Sequence, residues 1–331
     1  MATIRTVIAV AAAKGRFMHQ MDVKNAFLQR VLQEEVYVEQ PPGYEDGKHP
    51  HYVWRLCKTL YGLKQAPRAW HDKIIEYLLR IGFCMSHVDH SLYVRHSDAR
   101  FVLITIYVDD LIIVGDSETK IDPVKGLLKK EFEMKDLGEL RYVLRLEVIR
   151  RQRAYGCLRD SMHWICYSNM VLWIVGSLIY LTIAWPDLSY IVGLQSHFMQ
   201  LPRKPHLDAL HHTLRYVRAT LDHALFYATD ILVQLHGYTD VDWVGSSIDR
   251  RSTSGFMFTL SSAAITWSSK KQPTVALSSK EAEYRGAAIA ACEVAWLHKL
   301  LMDLRLLVDK EVFIYCDKHI EAFIFMHKPS T

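Results

Sequence analysis

The sequence predicts an α+β fold made of two successive domains. Strand and helix patterns both occur along the chain, two separate sets of carboxylates lie at or near apolar strand-like runs, and half of the residues are hydrophobic. A length of 331 residues corresponds to about two domains. This composition is sufficient for a packed core in each domain and excludes a globally disordered chain.

The first 150 residues alternate between helix and strand patterns. Helices are predicted over 4–13, 66–81 and 122–132, and strands over 19–28, 35–40, 91–95, 101–108, 111–114 and 141–148. Only two acids, Asp109 and Asp110, separate the apolar runs at 101–108 and 111–114. This arrangement is typical of a hairpin with carboxylates at its tip.

The second half begins with helical patterns and ends with a strand-rich segment. Residues 171–218 are helical apart from breaks at Pro186 and 202–205, whereas 149–168 fit neither period. Strands are predicted at 237–243, 255–260, 263–267 and 312–315, with a long helix over 279–301. The boundary between the two halves is expected within 220–236.

Charge, cysteines and one uncharged stretch limit the class of protein. The net charge is +4, which does not by itself indicate a nucleic-acid-binding protein. The six cysteines lack zinc-ligand spacing and are expected to be reduced and buried in an intracellular protein.

Residues 164–185 carry no formal charge and are long enough to span a bilayer. Their polar residues favour a buried helix beginning near Asn169 over a membrane anchor.

Adjacent acids at a hairpin tip allow two interpretations. Asp is common in turns, so Asp109 and Asp110 could simply face solvent. Neighbouring carboxylates repel each other, and a strand end tolerates them best when a cation lies between them. The pattern at 19–28 is that of a strand running into a turn; another acid, Asp22, lies at the end of this strand and is followed five residues later by Phe27.

Longer motifs around these residues point to a known family. They read MDVKNAF at 21–27, EVYVEQPPG at 35–43, LYGLKQAPRAW at 60–70 and YVDD at 107–110. In this order they resemble the palm motifs of a reverse transcriptase, and they are similar to the Pol polyproteins of copia-like LTR retrotransposons. The resemblance implies a palm and fingers domain, formed by an antiparallel sheet with helices.

The resemblance also implies roles for individual residues. Asp22, Asp109 and Asp110 would be catalytic and would hold two Mg²⁺ ions about 3.5–4 Å apart. Phe27 would lie under the incoming sugar and exclude a 2′-hydroxyl. Contacts to nucleotide or template are implied for Tyr61, Lys64, Arg68 and Tyr107. For the two basic residues the alternative is a solvated helix start. The implied partners are an RNA template, a DNA primer and dNTPs.

A second set of acids resembles the RNase H domain of the same polyprotein, an α/β fold. Asp240 lies in a strand pattern, Glu283 near the start of a helix and Asp317 at a strand end. The resemblance implies that these three are catalytic, bind two Mg²⁺ ions and cleave the RNA strand of an RNA–DNA hybrid. Asp242 is expected to be a nearby polar residue. Lys270 and Lys271 would contact phosphates of the hybrid, the alternative being two solvated lysines.

The chain also departs from the family pattern. We expect that the upstream fingers and the fourth RNase H acid are absent, with Glu321 a weak substitute for that acid. Arg145 stands where the primer-grip strand normally has Gly, and 153–170 do not match the thumb-like segment. The expected domains are reverse transcriptase fingers and palm over 1–150, a degenerate thumb remnant with a helical connection over 151–230, and an RNase H-like domain over 231–331.

Two functional hypotheses follow from the sequence. The first is an RNA-directed DNA polymerase with RNase H, using two-metal-ion nucleotidyl transfer and RNA hydrolysis. The second is a catalytically inactive remnant that binds nucleic acid weakly at most, because the missing segments would contribute phosphate contacts. The family implies an intracellular protein, in a cytoplasmic virus-like particle or the nucleus, without a membrane anchor. Integrase and protease regions are expected upstream in the parent polyprotein. Activity of this chain itself is expected to be absent.

Overall fold

The computed structural model describes the chain except for residues 30, 50, 98–99, 144–145, 152–153, 160–170, 230, 246–247, 307–311, 317–322 and 326–331. The described residues pack into two compact units. Unit A contains Phe17–Ser86 and His90–Leu140, and unit B contains Met1–Arg16, His87–Asp89 and Arg141–Thr331. The domain limits expected from the sequence stay predictions. A unit defined by contacts within the fold need not coincide with a domain defined by sequence resemblance.

The described chain contains helices and strands throughout, often in runs of one kind. In order they are α1 (Ala2–Ala13), β1 (Phe17–Val23), β2 (Val31–Glu39), β3 (Val53–Lys58), α2 (Ala66–Arg80), β4 (Cys84–Met85), β5 (Leu92–Ser97), β6 (Arg100–Tyr107), β7 (Asp110–Gly115), α3 (Glu118–Glu131), β8 (Met134–Glu139), β9 (Tyr142–Val143), β10 (Leu146–Arg151), β11 (Ala154–Arg159), α4 (Val171–Thr182), α5 (Ser189–Ser196), α6 (Lys204–Ala219), β12 (Ala224–Ala228), β13 (Leu235–Asp242), β14 (Thr253–Leu260), β15 (Ala263–Lys271), α7 (Ser279–Asp303), β16 (Val312–Cys316) and β17 (Phe323–Phe325).

Unit A is organised around a six-stranded sheet of order β4-β5-β6-β7-β1-β8. All of its strand pairs are antiparallel. The apolar runs predicted at 101–108 and 111–114 form the β6–β7 hairpin, as the sequence indicated. Strand β1 lies between β7 and β8, so the segment that carries Asp22 is held by hydrogen bonds on both sides.

The two faces of this sheet carry different sets of side chains. Side chains alternate along a strand, and directly paired residues of antiparallel strands point to the same face. One face packs with α2 and α3 in the main core of the unit, to which β1 contributes Met21 and Val23. The alternate residues of β1, Gln20 and Asp22, therefore point to the other face. That face is also largely buried and apolar, as at Ile112 opposite Gln20, and its polar side chains lie towards the strand end.

Strands β2 and β3 form a separate antiparallel ribbon within unit A. Strand β2 was predicted from its alternating pattern, whereas β3 was not. Most of its side chains are exposed, so it has little of the apolar periodicity from which a strand is predicted. Its position depends on pairing with β2.

The described residues of unit B form two further sheets and five α-helices. A four-stranded sheet has the order β12-β11-β10-β9, and a five-stranded sheet has the order β15-β14-β13-β16-β17. In the second sheet β13 pairs with β14 antiparallel and with β16 parallel. The long helix α7 connects β15 to β16 and packs on β13.

Helix α1 is almost entirely buried in unit B, where it contacts β15. Its one buried basic residue, Arg5, donates from Nε to the carbonyl of Ile265 at 2.7 Å and from a terminal nitrogen to that of Ile183 at 2.5 Å. The guanidinium also lies 3.6 Å from the ring centroid of Trp267. A buried cation is tolerated here because the planar guanidinium hydrogen-bonds and stacks at once.

The predicted helices are found in the structure, whereas three cysteines and the strands β11 and β12 depart from the predictions. The predicted helices are present, and α4 begins at Val171, although Asn169 itself lies outside the described residues. Within the described residues, no helix is both long and apolar enough to cross a membrane. The cysteines described are free, but Cys57, Cys84 and Cys292 are exposed rather than buried as expected. Strands β11 and β12 were missed: β11 lies in the segment 149–168, which fits neither period, and β12 pairs with β11 from a distant part of the chain.

Candidate active site

The three acids of the first set meet at one end of the central strands of unit A. Asp22 and Asp110 are directly opposed in the antiparallel β1–β7 pair, so both carboxylates project from the same face. Asp109 lies in the turn between Tyr107 and Asp110, which pair as the last residues of the hairpin. The carbonyl of Asp109 accepts a hydrogen bond from the Val23 backbone at 2.9 Å. The fold therefore brings together the three acids that the sequence singled out.

The environment of Asp110 is unfavourable for a negative charge. Burial raises the pKa of its carboxyl group, and the neighbouring carboxylates of Asp109 and Asp22 raise it further. A hydrogen bond from Gln20 Nε2 to Asp110 Oδ1, 2.9 Å long, acts in the opposite direction. Burial is the largest of these effects, and the smaller repulsion from the neighbouring acids is the part that a bound cation would relieve.

The turn that carries Asp109 has a strained backbone. Val108 adopts a φ of +58°, a left-handed conformation that is costly for a β-branched residue. Its carbonyl accepts a hydrogen bond of 2.6 Å from the indole nitrogen of Trp70, which is buried in α2. Trp70 also packs edge-on against Phe132. Helix α2 therefore holds the turn in place, a role that the sequence pattern did not reveal.

Loss of the indole hydrogen bond is expected to destabilise unit A. Replacing Trp70 by Phe keeps an aromatic ring but removes the donor to Val108 and leaves a small cavity. We expect the free energy of unfolding to fall by about 1–2 kcal/mol, measured by urea denaturation. Trp54→Phe is the matched control, because Trp54 is 46% exposed and should change stability by less than about 0.5 kcal/mol. Equal effects of the two substitutions would contradict the anchoring role of Trp70.

Two aromatic side chains lie beside the acids. Phe27 is only 6% exposed, whereas Tyr61 is 66% exposed. Their rings make an edge contact with centroids 4.4 Å apart. Partial burial raises the pKa of the Tyr61 hydroxyl, with further contributions from Asp109 and Asp22. The accessible aromatic group near the carboxylates is therefore Tyr61, and Phe27 lies mostly beneath the surface.

The remaining predicted contacts of this site are exposed. Lys64 and Arg68 lie at the start of α2, where the Pro67 ring occupies the first turn as expected. Tyr107 ends β6 and is 48% exposed. Exposure is compatible with contact to a ligand and equally with a solvated surface, so their roles stay predictions.

The second set of acids lies in unit B. Asp240 is on β13, and its carboxylate accepts a hydrogen bond of 2.8 Å from the next backbone amide. Glu283 is on α7, and its carboxylate accepts one of 3.3 Å from the thiol of Cys316 at the end of β16. Alternation along β13 directs Asp240 away from the residues that pack under α7. Asp317, Glu321 and Arg145 lie outside the described residues.

The two lysines predicted to contact phosphate differ in their surroundings. Lys271 forms an ion pair of 3.1 Å with Asp249, whereas Lys270 is exposed. Both line a groove of about 580 Å³, whose other walls come from α5 and from Asp242, Gly245, Ile248 and Asp249. The ion pair makes Lys271 the poorer candidate for a phosphate contact, because Asp249 would compete with the ligand.

Metal binding was predicted for both sets of acids. Within the part of the chain that the structure describes, no three His, Cys, Asp or Glu side chains converge closely enough to hold a metal ion as they stand. Carboxylates that repel one another separate when no cation bridges them. The Mg²⁺ sites therefore stay a prediction, and Asp22, Asp109 and Asp110 are the set that the backbone pairing best supports.

Comparison with known proteins gives consistent matches. A family model described as reverse transcriptase (RNA-dependent DNA polymerase) matches residues 1–166. The retrovirus-related Pol polyprotein from transposon RE1 of Arabidopsis thaliana is 39% identical over 95% of this chain and 24% of its own length. The corresponding polyprotein from transposon TNT 1-94 of Nicotiana tabacum is 36% identical over 96% of this chain and 27% of its own length. The chain thus spans about a quarter of the length of these relatives.

A shorter relative is matched over its whole length. The putative transposon Ty5-1 protein of Saccharomyces cerevisiae is 33% identical over 83% of this chain and 100% of the relative. A solved foamy viral protease-reverse transcriptase in complex with ds DNA is 12% identical over 91% of this chain and 51% of its own, with a TM-score of 0.23 that is too low to establish a shared fold. From the family model and the relatives, the chain belongs to the reverse transcriptase family, within the Pol polyproteins of copia-like retrotransposons.

Proposed function

We propose that this chain is an RNA-directed DNA polymerase that extends a DNA primer on an RNA template. The observation that carries the proposal is the register of β1 and β7, which sets Asp22 opposite Asp110, next to the turn that holds Asp109. Three carboxylates at one strand end form the oxygen-rich donor set that Mg²⁺ prefers. The pKa of Asp110 is raised mainly by burial and to a smaller extent by the other two acids, and a bound cation would stabilise the ionised carboxylate against both effects.

The proposed roles of the residues follow from their positions. Asp22, Asp109 and Asp110 would hold two Mg²⁺ ions, which when bound supply activation of the primer hydroxyl and neutralisation of the triphosphate. Tyr61 would form the wall beside the nucleotide, with Phe27 supporting its ring from below. Lys64 and Arg68 are placed at the exposed start of α2, where they could contact phosphates of the template or nucleotide.

Primer extension tests the proposal directly. The wild-type chain should incorporate dNTPs on a primed RNA template in the presence of Mg²⁺, and the Asp109→Asn variant should not. Asp46→Asn is the matched control, since Asp46 lies in the exposed loop between β2 and β3. Incorporation by the wild type no greater than by Asp109→Asn would overturn the proposal and favour the alternative of an inactive retrotransposon remnant. An intracellular location, in a virus-like particle or the nucleus, belongs to the same proposal.

A second proposed activity is RNase H in the region 231–331. It is supported by the sheet in which β13, carrying Asp240, pairs parallel with β16 and antiparallel with β14. Thr239 pairs with Cys316, and the Cys316 thiol contacts Glu283 on α7. Strands β13 and β16 and helix α7, on or next to which the resemblance places the three acids, are therefore neighbours. Cleavage of the RNA strand in a labelled RNA–DNA hybrid, compared with Glu283→Gln, tests this activity, and equal cleavage by both would contradict it.

A further inference from the structure

A buried amide lies beside the carboxylates of unit A. Gln20 is on β1, two residues before Asp22, and alternation places both side chains on the same face of the sheet. Gln20 pairs with Ile112 of β7, so Asp110 is its diagonal neighbour on the adjoining strand. This separation suits a long side chain reaching across two strands. The observed hydrogen bond, from Gln20 Nε2 to Asp110 Oδ1, is 2.9 Å long.

The hydrogen bond is protected from solvent on the side of the amide. Gln20 is only 7% exposed, so water has little access to its Nε2 group and competes poorly for the carboxylate. With Oδ1 engaged by the amide, Oδ2 is the oxygen of Asp110 that is left for a cation. The amide thereby fixes the orientation of the carboxyl plane relative to Asp22, which projects from the opposed position on β1.

The chemistry of an amide suits this position better than that of a charged donor. A lysine would neutralise Asp110 and compete with a metal ion, whereas an amide donates a hydrogen bond without adding charge. Hydrogen-bonding partners that orient a metal-binding carboxylate commonly affect metal affinity by 10- to 100-fold.

We propose that Gln20 is a positioning residue that orients Asp110 for metal binding. The inference rests on the proposed polymerase function, since it assumes that Asp110 binds a metal ion. Gln20 precedes the MDVKNAF motif and carries no charge, which explains why the sequence pattern did not single it out. Its role depends on the strand register, which only the folded chain establishes.

Mn²⁺ binding to the full chain, followed by electron paramagnetic resonance of the free ion, tests the inference without requiring polymerase activity. Gln20→Leu keeps a similar volume but removes the donor, and we expect Mn²⁺ to bind at least tenfold more weakly. Gln195→Leu is the matched control, because Gln195 is a buried amide in α5 that hydrogen-bonds to Thr213. It should reduce stability to a similar extent and leave Mn²⁺ affinity unchanged.

The outcomes separate the inference from the proposed function. In an Asp110→Asn background the effect of Gln20→Leu should shrink to less than about twofold, because the carboxylate through which it acts is gone. Unchanged Mn²⁺ affinity in Gln20→Leu, with wild-type binding above that of Asp110→Asn, would overturn the inference alone. Wild-type binding no better than that of Asp110→Asn would overturn both. If Gln20→Leu fails to fold, Gln20→Asn, whose amide is one methylene too short, replaces it with the same expectation.

Discussion

Replacing Asp110 by Asn is expected to reduce Mg²⁺-dependent nucleotide incorporation by roughly three orders of magnitude. The substitution keeps the shape of the side chain and its ability to accept the hydrogen bond from Gln20. It removes one of the negative charges that would hold the metal ions, whose contribution to transition-state stabilisation is several kcal/mol. Steady-state primer extension at saturating dNTP measures this change.

The same substitution is expected to stabilise the protein when no metal is bound. Burial and the neighbouring acids raise the pKa of Asp110 in the folded state. The protonated Asp110 carboxyl therefore contributes stability that is fully present below the ordinary aspartate pKa of about 3.9. This stability is lost as the pH rises through the raised pKa of Asp110 in the folded state. At neutral pH the wild type carries this unfavourable charge in a partly buried position, whereas Asp110→Asn does not.

Thermal unfolding with and without Mg²⁺ distinguishes these two effects. Without metal, Asp110→Asn should melt at a higher temperature than the wild type at pH 7, and the difference should diminish towards pH 4. Other carboxyl groups, such as Asp136 with its lowered pKa, titrate in both proteins, so they cancel in the difference. Added Mg²⁺ should raise the melting temperature of the wild type more than that of the variant. A variant that is less stable without metal would contradict a repulsive cluster.

The acids of the first site were predictable because the residues next to them in the sequence are enough to identify them. Asp109 and Asp110 interrupt an apolar run, and Asp22 ends another, so pattern and motif both identified them. Their supports were not predictable in this way. Gln20 and Trp70 reach Asp110 and Val108 across 90 and 38 residues of sequence. Long-range partners of this kind depend on strand register and helix packing, which periodicity does not specify.

The fold was predictable to a similar extent. Helices α2 and α7 and the β6–β7 hairpin have strong periodicity or turn signals, and the structure contains them. Strand β3 was missed because its side chains are mostly exposed and it depends on β2. The burial of α1 within unit B, through Arg5 and Trp267, also goes beyond what its Ala-rich pattern could indicate.

The contact between α7 and β13 depends on one glycine. Gly286 is buried on α7, one helical turn after Glu283. A Cβ atom at this position would lie 2.5 Å from Cγ2 of Val241 and 3.5 Å from Oγ1 of Thr239. The first distance is far shorter than a normal carbon–carbon contact of about 3.5–4 Å. Gly286 therefore allows the helix that carries Glu283 to lie directly on the strand that carries Asp240.

Gly286→Ala is accordingly expected to destabilise unit B, against the usual preference of helices for alanine. Intrinsic propensity favours alanine over glycine by about 0.8–1 kcal/mol, but overpacking a core typically costs 1–3 kcal/mol. We expect a net loss of up to about 2 kcal/mol in the free energy of unfolding, measured by urea denaturation, together with reduced cleavage of an RNA–DNA hybrid.

Two comparison variants isolate the cause of this loss. Gly176→Ala in α4, where a Cβ atom would meet nothing within 4 Å, should instead stabilise the protein by up to about 1 kcal/mol. Val241→Ala removes the atom nearest to the new methyl group, so the double variant with Gly286→Ala should be more stable than the sum of the two single effects predicts. A Gly286→Ala variant as stable as Gly176→Ala would show that α7 and β13 do not approach each other this closely. In that case the helix would not hold Glu283 beside the strand of Asp240 in the way the proposed second site requires.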